Sequence, residues 1–302
     1  MLPDVLEFSK WLRRTSPGAV TFRHYVNDLK LFFAWANKPP AAITLTDVDA
    51  YIEHCQQDLG HAVATVNRRL AAIRTFYDFL DVTTPDAPPN PVIPKRHFVK
   101  QGRRLPRDVE DTDLELLFDA VDSIRDRAMF LLMLRCGLRV GEVRNLSTSD
   151  LYLHPAPASL PRLWLHGKNG TQRVAYLSSQ ALDALQAWLD ERPQVDDDAV
   201  FLSSRRQRIS VRTIQDRLTR ACRRAGVSIS CHQLRHTFGR HLVEAGVPVA
   251  IIQALFGHAR IRTTQGYLHI SDTCVQANYE AAIKEVEKRF AHNGGSRKGG
   301  KQ

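Results

Sequence analysis

Residues 83–104 constrain this chain more than any other stretch. They carry Pro85, Pro88, Pro89, Pro91 and Pro94, then Lys95, Arg96, Lys100, Arg103 and Arg104. Proline has no backbone N–H and its ring clashes with the preceding turn, so no regular helix runs through such a stretch. It also stiffens the chain and keeps it extended. The sequence on either side must therefore bury its apolar residues separately, and 302 residues favour two domains over one. The expected organisation is a first domain over residues 1–82, a proline-rich basic linker over 83–104, a larger domain over 105–290 and a disordered Gly/Lys-rich tail over 291–302.

Before the linker the apolar residues recur at helical spacing, and no strand pattern is present. Phe22, Tyr25, Leu29, Phe32, Phe33 and Ala36 mark one helix; Val66, Leu70, Ile73, Phe76 and Leu80 mark another. Helices are expected over 2–14, 19–37, 48–59 and 62–80, with Thr46-Asp47 as a cap for the third. The outcome is a small helical bundle. Arg68, Arg69 and Arg74 lie off the apolar face of the last helix. Two readings stay open for them: contacts to phosphates, or a solvated basic face. Lys95 and Arg96 offer the same choice between a strap across a DNA backbone and a plain exposed linker.

Charge narrows the partner. The formal net charge is +10 and arginine supplies most of the excess, which points to a polyanion, nucleic acid before membrane. No apolar run is long enough to span a bilayer, and the first residues lack the basic-then-apolar order of a signal peptide. Cys55, Cys136, Cys222, Cys231 and Cys274 are scattered, with no CxxC pair. They read as reduced, buried thiols of a cytoplasmic protein.

The second domain is expected to be helical around a very apolar segment, 123–135, which Cys136-Gly137 stops. Asp111-Thr112-Asp113 offers a cap for a helix before it. Arg139 then falls in a turn ahead of a helix over 140–146. It either forms a salt bridge with Glu142 or is held by Glu142 toward a phosphate. Leu163-Trp164-Leu165 and Val174-Ala175-Tyr176 flank Asn169-Gly170, a strong hairpin signal. Lys168 sits beside its tip, a place where most lysines are merely solvated. Helices follow over 179–191 and 211–225. Arg205, Arg206, Arg208 and Arg212 belong to the densest basic region of the chain, where few acids interleave, and are expected to bind DNA in preference to forming a merely solvated surface.

Residues 231–270 hold the most chemistry. A helix from about 231 to 245 has the apolar stripe Leu234, Phe238, Leu242 and Ala245. His232 and Arg235 are one turn apart on it and share a face. Gly239 on the same face permits close approach of another backbone. A second helix runs from Pro248 to Gly257, His258 follows, and Tyr267 lies on a short helix beyond. Cations, a proton shuttle and a hydroxyl nucleophile together suit phosphate chemistry. Taken singly, each has an ordinary explanation as a cap, a carbonyl partner or a core aromatic.

The ordered set resembles the tyrosine recombinases, the family of the phage integrases and the Xer proteins. The resemblance spans nearly the whole chain and is strongest at 136–146, 167–173, 231–242 and 255–269. The family's succession of arginine, lysine, His-x-x-Arg, Gly-His and tyrosine falls on Arg139, Lys168, His232, Arg235, His258 and Tyr267, with Glu142 at the acidic position beside the first arginine. It implies a mainly α fold with a small β-hairpin or sheet in the catalytic domain. It also implies a two-domain DNA clamp, with a helical, SAM-like core-binding domain ahead of the catalytic domain. By the same resemblance, Tyr267 forms a 3′-phosphotyrosyl bond, Arg139 and Arg235 hold the phosphate, Lys168 protonates the leaving oxygen, and His232 and His258 assist.

No metal or cofactor is implied. The implied partner is double-stranded DNA with an inverted-repeat site, recombined through a Holliday junction in integration, excision or resolution. The implied assembly is a tetramer on DNA, joined through a C-terminal helix over 273–290 whose stripe is Val275, Tyr279, Ala282, Val286 and Phe290; packing of that stripe on its own domain is the alternative. With no additional arm-binding domain expected, the chain is similar to compact Xer-like or transposon-borne, mobile-element members. Gly266 departs from the family, which usually has a larger apolar residue before the tyrosine. A type IB topoisomerase and a non-catalytic DNA-binding accessory protein are the alternatives. A metal-dependent nuclease would need a motif such as HExxH, which the chain lacks.

Overall fold

The computed structural model describes residues 3–15, 21–100, 109–154, 159–166, 172–257 and 272–295. The chain forms two compact units, Met1–Leu105 and Pro106–Gln302.

The first unit is built from α1 (Pro3–Thr15), α2 (Thr21–Ala36), α3 (Leu45–Glu53), α4 (Val63–Thr83) and the short α5 (Pro94–His97). Phe8, Leu29, Phe32, Val48, Tyr51, Ile73 and Phe76 are fully or almost fully buried in its core. Aromatic edges meet there: the Phe8 and Phe76 rings are T-shaped at 5.5 Å. The cap of α3 comes slightly earlier than the sequence predicts. Asp47 accepts the Thr44 N–H at 2.9 Å, and the Thr44 hydroxyl accepts the Asp47 N–H at 3.3 Å. This reciprocal box satisfies two end groups of the helix at once.

Residues 90–99, expected within an extended linker, are instead packed on the first unit. Val92 and His97 are buried, and Phe98 and Val99 pack against the same core. Asn67 of α4 clamps Val99 from both sides, donating to its carbonyl at 2.9 Å and accepting its N–H at 2.9 Å. Asn90 donates to the Arg74 carbonyl at 3.0 Å and to Asp78 at 2.8 Å. The prolines do keep this stretch out of long helices. The apolar residues among them find a surface to cover, and Asn67 satisfies both backbone groups of Val99, which no regular element pairs.

The second unit runs α6 (Asp111–Asp119), α7 (Ile124–Arg135), α8 (Val140–Asn145), β1 (Leu151–Tyr152), β2 (Arg162–His166), β3 (Gln172–Tyr176), α9 (Ser179–Glu191), α10 (Val211–Ala225), α11 (Cys231–Glu244), α12 (Val249–Phe256) and α13 (Asp272–Gly295). It is mainly α with one small antiparallel sheet, ordered β1-β2-β3. The register pairs Leu163 with Ala175 and His166 with Gln172. Helix α7 is buried along nearly its whole length, with Ala128, Phe130, Leu132 and Leu134 among its core residues. It packs against α8, α9, α10 and α11, so α8 and α11, which carry Glu142 and Arg235, share it as a support.

A second apolar cluster joins Tyr176, Phe238, Leu242, Ile251 and Leu255 to Tyr279, Ala282, Ile283 and Val286 of α13. Tyr279 donates to the Arg135 carbonyl at 3.0 Å. Glu287 accepts from the Ser179 hydroxyl at 2.5 Å and from the Gln180 N–H at 3.1 Å. The stripe expected to dock on a neighbouring subunit is therefore seated on its own unit in this structure. The Val275 and Phe290 side chains lie outside the described residues. Among the described residues no helix is long and apolar enough to cross a membrane. Cys55, Cys136, Cys222 and Cys231 are free and buried.

Candidate active site

The site begins where α7 ends. Gly137 has φ +64°, and a Cβ there would lie 2.4 Å from the Phe238 ring. Glycine thus supplies both the left-handed turn and the close approach of that turn to α11. The next residue but one, Arg139, is the N-cap of α8.

Glu142, in the first turn of α8, is 8% exposed and gathers three arginines. Its carboxylate accepts the Arg139 N–H at 2.7 Å and Arg139 Nη1 at 2.9 Å. It accepts Arg173 Nε at 3.2 Å and Arg173 Nη2 at 2.8 Å. Arg235 Nη1 stands 3.6 Å away. Burial pushes the Glu142 carboxyl up, but hydrogen bonding and the charges of Arg173 and Arg139 outweigh it and hold the group below its ordinary value.

Arg235 lies on the buried side of α11 and packs over the Phe256 ring at 4.5 Å. It donates to the Gly137 carbonyl, and at 3.0 Å to the Phe256 carbonyl. Burial, helped by the nearby Arg139 and Arg173, lowers its pKa to about 9. The cluster holds more positive charge than its one carboxylate balances, and the Arg139 side chain remains 48% exposed. Such an arrangement is prepared to accept an anion.

The other predicted residues distribute as follows. His232 is exposed in the first turn of α11, behind a capping box in which Ser230 and Gln233 bond reciprocally. The shared face expected for His232 and Arg235 thus grades from solvent to core. Gly239 does permit a close approach, but to the Phe256 ring, 3.1 Å from a Cβ placed there, and not to a backbone. Lys168, His258 and Tyr267, with Gly266, lie outside the described residues. Their attachment points are defined. β2 and β3 leave the 167–171 segment from the paired His166 and Gln172. The chain leaves α12 at Gly257 directly after two carbonyls, Leu255 and Phe256, that receive Arg173 and Arg235.

Arg173 was not singled out from the sequence. The available signal was register: in the hairpin it stands opposite Leu165, and cross-strand partners share a face. Leu165 is buried, so a charged residue there demands partners.

The predicted DNA-contacting residues divide. Arg69 is buried, donates to the Tyr51 hydroxyl at 3.1 Å and the Cys55 sulfur at 3.4 Å, and lies 3.9 Å from Asp28. It is a core group of the first unit, because Asp28 and Tyr51 meet it from neighbouring helices. Arg208 braces a loop, bonding Asp198 at 2.7 Å and the Leu146 carbonyl at 3.2 Å. Arg96 grips Asp49, at 2.5 Å from Nη2. Arg68 pairs with Asp28 while remaining 40% exposed, and Arg74 lies 3.9 Å from Asp78. Lys95, Arg205 and Arg206 are exposed, as is Arg212, which pairs with Asp216 at 3.1 Å. Among the described residues no group of three His, Cys, Asp or Glu stands together.

Comparison with known proteins agrees with this architecture. Residues 107–273 match the model of the phage integrase family, and residues 5–81 match the phage integrase N-terminal SAM-like domain. The chain is 30% identical to tyrosine recombinase XerC of Alcanivorax borkumensis, over 92% of this chain and 91% of that one. It is 32% identical to tyrosine recombinase XerC of Pseudomonas savastanoi pv. phaseolicola, over 92% and 94%. In fold it is similar to the XerH site-specific recombinase in a pre-cleavage complex with its difH substrate, with TM-score 0.67, 16% identity and coverage of 95% and 83%. A lambda integrase dimer bound to a COC' core site gives TM-score 0.66 at 19% identity, covering 89% and 98%. The chain belongs to the phage integrase family and is a tyrosine-type site-specific recombinase.

Proposed function

We propose that this recombinase cuts and rejoins double-stranded DNA at an inverted-repeat site, with Tyr267 as nucleophile. The observation that carries the reading is the Glu142 cluster, which holds Arg139 and Arg235 beside one turn with positive charge to spare. Arg139 and Arg235 take the non-bridging oxygens of the scissile phosphate as negative charge grows on them. As the Tyr267 oxygen bonds to phosphorus its hydroxyl proton passes to His232, and the 5′-oxygen leaves with a proton from Lys168. His232 serves proton transfer and His258 donates to the phosphate. The 3′-phosphotyrosyl bond conserves the energy of the broken bond, so the 5′-hydroxyl of another strand can reverse the step. Two such exchanges form and resolve a Holliday junction.

Four protomers on two DNA sites would carry out the exchange. The α13 stripe would serve assembly if it occupies on a neighbour the seat it takes here on its own unit. The exposed Lys95, Arg205, Arg206 and Arg212, and the half-exposed Arg68 and Arg74, would meet DNA phosphates. The first unit would act as the core-binding domain and the second as the catalytic domain.

The test is a nicked duplex bearing inverted repeats, selected for binding from a random-sequence pool, incubated with the protein in EDTA. The expected result is a covalent protein–DNA adduct that Tyr267→Phe abolishes. Cleavage that requires metal and leaves no adduct would refute the reading.

A further inference from the structure

We propose that Arg173 is a positioning residue for strand cleavage, one that occupies Glu142 and ties the hairpin strand β3 to the Gly137 turn and to the end of α12. This rests on the role proposed above for the Glu142 cluster. Nothing in the order of residues gives Arg173 a part in the chemistry; its geometry does.

The Arg173 side chain is 9% exposed, and its guanidinium is spent on three separate elements. Nε and Nη2 take Glu142 at 3.2 and 2.8 Å. Nη1 donates to the Leu255 carbonyl at 2.7 Å, and Nη2 to the Gly137 carbonyl at 3.2 Å. Its stem matters as well. Gly257 caps α12 at φ +59°, and a Cβ there would lie 2.4 Å from Arg173 Cδ. The end of α12, from which the chain proceeds to His258, is thus laid directly over Arg173. On the other side, Gln172 alone separates Arg173 from the 167–171 segment that carries Lys168.

The charge distribution gives the bonds a consequence. Among the described residues, the charged groups facing Glu142 are Arg139 from the turn, Arg173 from β3 and Arg235 from α11. Each Glu142 oxygen already serves both Arg139 and Arg173. Without Arg173 the carboxylate would have only Arg139 and Arg235 to answer its charge. Arg139, half-exposed and already giving Glu142 one Nη1 bond, is the freer of the two and would give it more of its guanidinium, at the expense of a phosphate. Arg173 therefore takes up a share of each carboxylate oxygen, so that the rest of the Arg139 guanidinium stays available. The planar fork sends separate nitrogens to these partners, whereas the three donors of an ammonium radiate from one point.

The test uses the full chain and the nicked duplex described above, with adduct formation followed under saturating protein from pH 5 to 9. Arg173→Gln and Arg173→Lys are compared with wild type, each checked by thermal unfolding, with Arg173→Met as an uncharged isostere. Arg173→Gln is expected to lower the adduct rate about ten- to a hundred-fold at neutral pH, the range expected for charge-assisted hydrogen bonds. Relative to wild type its rate should recover toward acid, because Glu142, without the cation that keeps it ionised, is protonated there and no longer draws on Arg139. Arg173→Lys should restore the wild-type pH profile without restoring the full rate. DNA affinity should change little in either.

A wild-type rate in Arg173→Gln would overturn the proposal. So would an equal loss in the Gln and Lys variants at every pH, which would assign Arg173 to folding alone. A Tyr267→Phe arm separates the two levels. An adduct that persists in it refutes Tyr267 as nucleophile, while the cleavage that remains is still compared among the Arg173 variants.

Discussion

Asp28 in the first unit and Glu142 in the second each bury a carboxylate against arginines. Asp28 on α2 is 2% exposed and faces Arg68 and Arg69 of α4. Burial pushes its carboxyl up, and the two arginines do not reverse the direction. Glu142 faces three arginines, which hold it below its ordinary value against the same opposing burial. The surplus charge also goes to different places. Arg69 continues inward to Tyr51 and Cys55, whereas Arg139 stands at a surface turn beside Arg235. A buried acid with arginines is thus a structural pin in one unit and an anion-ready cluster in the other. The deciding quantity is how much positive charge is left over around the acid, with two arginines at Asp28 against three at Glu142.

The sharpest way to break this contrast is to remove one cation from each cluster. Arg139→Ala is expected to slow adduct formation by about 10²–10³-fold, as loss of one transition-state donor does. Arg68→Ala should weaken DNA binding and leave the rate of chemistry on saturated DNA unchanged. Single-turnover kinetics beside a gel-shift titration check both, and a comparable rate loss in Arg68→Ala would erase the distinction.

A smaller effect is expected from Arg69→Met. It should destabilise the first unit by about 1–3 kcal/mol, the cost of stranding buried hydrogen-bonding groups. Denaturant unfolding measures this, and the adduct rate of the folded protein should not move.

Stability against pH should carry opposite signs in the two clusters. The depressed Glu142 contributes stability that is present above the ordinary carboxylate range and is lost as pH falls through its folded value. The raised Asp28 contributes stability that is present below its ordinary value and is lost as pH rises through the folded one. Unfolding midpoints across mildly acidic pH, compared with Glu142→Gln and Asp28→Asn, should show each slope disappear separately. Slopes of the same sign would refute the contrast.

The smallest effect is expected at Gly266→Ile. Gly266 stands where the family usually has a larger apolar residue before the tyrosine, and isoleucine there should raise cleavage by the isolated protomer about two- to five-fold, well under the tenfold that 1.36 kcal/mol represents. An unchanged rate in a dilute single-site assay removes that expectation.

Much of the fold was readable from local pattern. The helical period in α2 and α4, the Asn169-Gly170 signal between β2 and β3, and the apolar run of α7 each depend on neighbours in sequence. The boundaries that moved did so for tertiary reasons. Residues 90–99 read as linker because prolines dominate them, yet Val92, Phe98 and Val99 had a bundle surface to cover. The stripe of α13 was visible, but its seat was not, since a stripe shows that a face must be buried and not where.

The order Arg139, Lys168, His232, Arg235, His258, Tyr267 can be read along the chain, and it is enough to indicate the family. What each arginine is for depends on how the chain folds. Arg69, open to either a phosphate contact or a solvated face, and Arg208, expected to bind DNA, are braces in the fold, while Arg173 belongs to the candidate site. The physical reason is that an arginine's charge stays on in any context. Its role is set by the carboxylates and carbonyls within bonding distance, and these come from residues remote in the chain.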